Sequence, residues 1–109
     1  MNRTAGVFAV VSAAVLFAAP AHADVDTDFA DRLHGHGIYG PRDHNAWIGK
    51  ITCERLANGV DRDAHDSAAF VGANVTGGDR QRAWQFVGAA LSTYCPDKLT
   101  VLEQAGVAR

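Results

Sequence analysis

The stretch DRQRAWQFVGAALSTYCP, residues 79–96, decides the fold. An aspartate that can cap a helix stands at its head, and Pro96 stands where a helix must stop. Between them Trp84, Val87, Leu91 and Tyr94 recur at the spacing of one helical face, so the segment predicts a helix from Asp79 through Cys95 with an apolar stripe. Phe86 falls off that stripe.

The same reading extends upstream. Asp61 or Asp63 caps a predicted third helix running to about Val75, with Ala64, Ala68, Val71 and Val75 on one face, and Thr76-Gly77-Gly78 ends it. Asp43 serves as the expected N-cap of a second helix to about Asn58, and Gly59 supplies its stop. Trp47, Ile48 and Ile51 lie on one side of that helix and Ala46, Cys53, Leu56 and Ala57 on another, so it is expected to pack between neighbours. Residues Asp24–His36 predict a short first helix with Phe29, Ala30 and Leu33 one turn apart. It is followed by a break at residues 35–41, where three glycines and a proline fall in one short stretch. Residues 98–105 predict a last short helix. No run alternates as a half-buried strand does. The expected fold is all-α: a small bundle of four to five short helices.

Cys53 and Cys95 are the only cysteines. Residues 1–23 read MNRTAGVFAVVSAAVLFAAPAHA, with a positive start at Arg3, an apolar run of about 15 residues and the small-x-small triplet Ala21-His22-Ala23, which predicts a secretory signal peptide cut after Ala23. A bilayer span takes about 20 apolar residues, so stable membrane insertion after cleavage is not expected. An exported chain with two cysteines is expected to join them, stapling the second helix to the end of the fourth. The domain is therefore expected at residues 24–109, secreted to the extracellular space or held in the cell envelope.

The whole chain has 109 residues and a formal net charge of -2, and loss of Arg3 with the leader makes the remainder slightly more acidic. This offers no basic field for phosphate backbones, so nucleic acid is not an expected partner. A multidomain enzyme is excluded by length.

Few groups carry recognisable chemistry. His34 and His36 form an H-x-H pair and are the leading candidates for a metal or haem ligand, but no H-E-x-x-H or Cys/His cluster completes a site. Exposed loop histidines are the simpler expectation, and no cofactor is expected. Asp24, Asp26 and Asp28 alternate like the opening of a calcium loop, yet Phe29 stands where that loop needs Gly and Gly35 where it needs Glu. Carboxylates at a helix start account for them. Ser67 and Ser92 lack a G-x-S-x-G setting, and Glu54 and Glu103 are the only glutamates, so neither nucleophilic nor paired-carboxylate hydrolysis is signalled and no catalytic residue is assigned. Trp47, Trp84 and Phe86 are candidates to line a ligand or partner surface, with burial in the core as the simpler alternative.

The motif G-x-x-x-C-x-x-L-x-x-G at Gly49, Cys53, Leu56 and Gly59, followed by W-x-F-V-x-x-A-x-x-x-Y-C-P from Trp84 to Pro96, resembles the domain-of-unknown-function family 732. Its members are short secreted proteins, mainly of mycobacteria. The resemblance implies export, a helical domain and a disulfide, and implies no activity. His34 and His36 lie outside the motif. The expected function is a non-enzymatic binding or interaction module for a protein or an envelope component, with a carrier of haem, metal or a small apolar ligand as the alternative.

Overall fold

A computed structural model describes the backbone of residues 21–106 and the side chains from residue 25. The predicted leader, residues 1–23, lies outside the described residues except for the backbone of its last three. The described chain forms α1 (Ala21–Gly35), α2 (Arg42–Ala57), α3 (Ala64–Asn74), α4 (Arg80–Tyr94), a short 3-10 turn (Pro96–Lys98) and α5 (Thr100–Gln104). No strand occurs among the described residues, and the all-helical reading holds.

α4 is the central element and packs against α1, α2 and α3. Asp79 caps it as expected, its carboxylate accepting the Arg82 backbone N–H at 3.0 Å. Three neighbours demand more than one stripe. Val87 and Leu91 are fully buried, but so are Phe86 and Ala90, while Trp84 and Tyr94 are only half-buried. For Phe86 the simpler of the two readings holds and the surface one is corrected: it is a core residue, its ring edge-on to Phe29 at 5.2 Å. Phe29 and Leu33 of α1, Ile48 of α2, Val71 of α3 and Leu102 of α5 complete this core. Burying each such side chain contributes about 1.5–3 kcal/mol.

Helix starts divide the aspartates by role. Asp63 is the N-cap of α3, accepting the Asp66 N–H at 3.0 Å. Asp61, the alternative, is instead buried in the core edge, where Arg55 donates to it from Nε and from Nη2 at 2.8 Å and the Ser67 hydroxyl donates at 2.9 Å. The Arg55 guanidinium also lies over the Phe70 ring at 4.1 Å. Asp43 does not cap α2: Pro41 holds that position in extended backbone, and Asp43 sits in the first turn, paired with Arg42 at 2.9 Å. Proline's fixed φ makes it a good helix entrance without any side-chain bond.

The glycine-rich break is an ordered turn. The backbone N–H groups of His36 and Ile38 both donate to the Leu33 carbonyl at 2.9 Å. Gly37 has φ 76, and the Ile38 side chain is buried as an anchor.

Candidate functional site

The two ends of α4 differ in what surrounds them. At its C-terminal end Cys53 and Cys95 form the expected disulfide, closing 42 residues with their Cα atoms 6.0 Å apart. Beside it the Tyr94 hydroxyl donates to Asp26 Oδ1 at 2.7 Å, and Lys50 Nζ reaches the same carboxylate at 3.2 Å. Partial burial opposes ionisation of Asp26, but the Tyr94 and Lys50 hydrogen bonds and the Lys50 charge outweigh it and hold its carboxyl below the ordinary 3.8. Burial, then the Asp26 hydrogen bond, pushes the Tyr94 phenol well above its ordinary 10.0. The Tyr94 ring also rests against Phe29 at 5.1 Å. Gly49 lies under both rings, and a Cβ there would come within 3.0 Å of Phe29 and 3.1 Å of Tyr94. Only glycine lets α2 approach this closely.

At the N-terminal end of α4, Trp84 stands on a crest between two half-open grooves and lines both. The first groove, ≈ 560 Å³, runs between α3 and α4 over a floor of Ala68, Gly72 and Ala83. His65 forms its wall, edge-on to the Trp84 ring at 5.1 Å. The second, ≈ 440 Å³, runs between the end of α1, α4 and the C-terminal segment, with Arg32 and His36 at its rim and Leu99 and Leu102 in its bed. These volumes fall in the range of small-ligand sites.

The sequence candidates separate in space. His36 faces the second groove, whereas His34 is exposed and packs against the Tyr39 ring at 4.9 Å. No group of three or more His, Cys, Asp or Glu that could hold a metal ion occurs among the described residues. Trp47 is 59% exposed on α2, apart from both grooves, with His44 as its ring neighbour at 6.2 Å. Ser67 is committed to Asp61, and Ser92 lines the second groove. The sequence does not single out Arg32 or Lys50, and it marks Asp26 only as a carboxylate at a helix start, not as the partner of Tyr94 and Lys50. Arg32 precedes His36 by one helical turn, a signal that was available; the meeting of Asp26, Lys50 and Tyr94 crosses three helices and left none. Among the described residues no helix is long and apolar enough to cross a membrane.

A disulfide-stapled helical bundle with one tightly joined end and one grooved end is a small single-core module. Its sequence places it more closely: the family described as "Protein of unknown function (DUF732)" matches residues 25–97, and the chain belongs to that family. Two uncharacterized proteins from two strains of Mycobacterium tuberculosis are each 50% identical to it over 107 residues, covering 96% of this chain and 96% of each relative. No solved structure matches the chain.

Proposed function

We propose that this protein is an exported, non-enzymatic binding module of the envelope or extracellular space that works through the grooves flanking Trp84. The observation that carries this reading is the placement of Trp84: a large amphipathic ring, half-buried, shared by two grooves of ligand size. Tryptophan in such a setting offers much contact area at little entropic cost, which is why it recurs at binding surfaces. Export is supported by the leader pattern of residues 1–23 and by the disulfide, which persists in oxidising compartments.

The test is the mass of the protein purified from its native exporting host, taken in native spray and after denaturation. The denatured chain is expected to begin at Asp24 and to be two hydrogens light. The native form is expected to carry added mass, a small molecule or a partner chain, that is lost on denaturation and lost in Trp84→Ala. A bare native chain overturns the reading. So does a turnover activity that survives purification and depends on one residue.

A further inference from the structure

The second groove has a direction. α1 and α4 run antiparallel, because Asp26 near the start of α1 meets Tyr94 at the end of α4, while Gly37, just past α1, lies against Arg82 at the start of α4. Arg32 and His36 therefore stand at the α4 N-terminal end of the groove, joined there by the side-chain amides of Gln81 and Gln85. Leu99 and Leu102 lie toward the other end, across from Gly88 and Ala89. One end is cationic and rich in hydrogen-bond donors, the other apolar, and among the described residues no carboxylate lines the groove.

Length and charge narrow the occupant. From Gln81 to Ser92 the groove follows α4 for about three turns, about 16 Å at ~1.5 Å per residue. That is a slot for one extended chain. Arg32 takes part in no ion pair with another described residue, and among the described arginines only Arg80, beside the first groove, shares that state, while Arg42, Arg55, Arg62 and Arg82 are each paired. A lone guanidinium pairs bidentately with a carboxylate and matches its single charge, whereas a phosphate dianion would remain half-compensated.

We infer that this groove binds a long-chain fatty acid, with the carboxylate on Arg32 and His36 and the acyl chain over Gly88 toward Leu99 and Leu102. This rests on the binding-module reading and names the ligand class for one of its grooves. Gly88 is the point of control. A Cβ there meets only Leu102 Cδ1, at 3.9 Å, so a larger side chain fits the helix and fills the groove.

The experiment titrates hexadecanoate, below its micellar concentration, into the full protein in a Trp47→Phe background, so that Trp84 alone reports. The expected result is saturable binding of one hexadecanoate per chain with a change in Trp84 emission. Hexadecanol and hexadecyl phosphate should each bind at least about tenfold more weakly, and Arg32→Glu should weaken hexadecanoate by about tenfold or more. Gly88→Leu should abolish binding while melting no lower than its parent. Absence of hexadecanoate binding overturns the inference, as does binding that Gly88→Leu leaves intact or that hexadecanol or hexadecyl phosphate matches. If hexadecanoate fails while protein from the native host still carries a Trp84-dependent mass, this inference falls and the binding-module reading stands.

Discussion

α4 is one helix with two kinds of surroundings. Its C-terminal end is held by a disulfide, an ion pair, a hydroxyl–carboxylate bond and a glycine under two rings, all gathered around Tyr94 and its neighbour Cys95. Its N-terminal end opens on the first groove, floored by alanine and glycine, and on the head of the second, which runs on along another face of α4 over Leu99 and Leu102. Groups that could fill space or bond to one another are concentrated at the first end, and what is left at the second is exposed shape. A domain this small has little stability to spare, so fixing one end firmly is what permits the other to stay open.

That contrast can be broken by mutation. The largest expected effect is Cys53→Ser or reduction of the disulfide: a loop of 42 residues corresponds to about 4 kcal/mol in the chain-entropy account, read as a fall in the denaturation midpoint. Coincident melting of oxidised and reduced protein would show that the staple does not hold this end.

Tyr94→Phe should cost about 1–2 kcal/mol, because it removes a hydrogen bond to a charged group at a partly exposed site. The sign of its pH dependence follows from the two shifts. Asp26, lowered in the fold, contributes stability that is present above about pH 4 and lost as pH falls through its folded value. Tyr94, raised in the fold, contributes stability that is present below about pH 10 and lost as pH climbs toward its folded value. The acid limb is shared with Asp66 and Asp79, whose carboxyls are lowered chiefly by hydrogen bonds from the Arg62 and Arg82 backbones. The alkaline limb is the diagnostic one: Tyr94→Phe should lessen the loss of stability measured above pH 10.

Trp84→Ala should cost about 1–2 kcal/mol, well short of the roughly 3–5 kcal/mol of a fully buried aromatic, while eliminating ligand binding. A larger loss in a chemical melt would make Trp84 a core residue and the crest merely structural.

The smallest effect is the most pointed, because one substitution should change sign along the molecule. Gly→Ala inside a helix ordinarily gains up to about 1 kcal/mol. At Gly88, where a Cβ has room, that gain should appear. At Gly49 the crowding against Phe29 and Tyr94 should reverse it to a net loss of about 1 kcal/mol. Equal gains at both positions, measured by denaturant midpoint, would mean that the two ends are packed alike.

How much of this was legible in the sequence follows the same division. Helix positions, the Asp79 cap and the cysteine pairing rest on local spacing or on there being only one possible pair, and all three were readable. Gly49 was visible as part of a motif, but its reason, the rings of Phe29 and Tyr94 above it, comes from helices distant in sequence. Phe86 fell off the stripe yet is in the core, as the simpler of its two readings held, because α4 has three neighbours and buries more than one face. Asp61 looked like any capping aspartate, since nothing local distinguishes a cap from a carboxylate drawn inward by Arg55 and Ser67. The grooves could not be read at all: they are spaces left between elements, and periodicity describes only the elements.

The Asp26–Tyr94 bond also bears on the order of events in time. It joins residues 68 positions apart, whereas the Arg55–Asp61 pair spans 6. Closing a long loop carries an entropic cost that short-range contacts avoid. The contacts between α1 and α4 are therefore expected to close after the shorter-range contacts of α3 with α4, when the seat for Phe29 beside Gly49 already exists. Pulse-labelled hydrogen exchange during refolding should find the amides of α1 protected after those of α3 and α4; simultaneous protection would mean that the bundle closes in one step. In the staged case the early species is a three-helix intermediate with an empty aromatic socket, and the vulnerability of the folding chain is concentrated at the place that becomes the firmest part of the finished molecule.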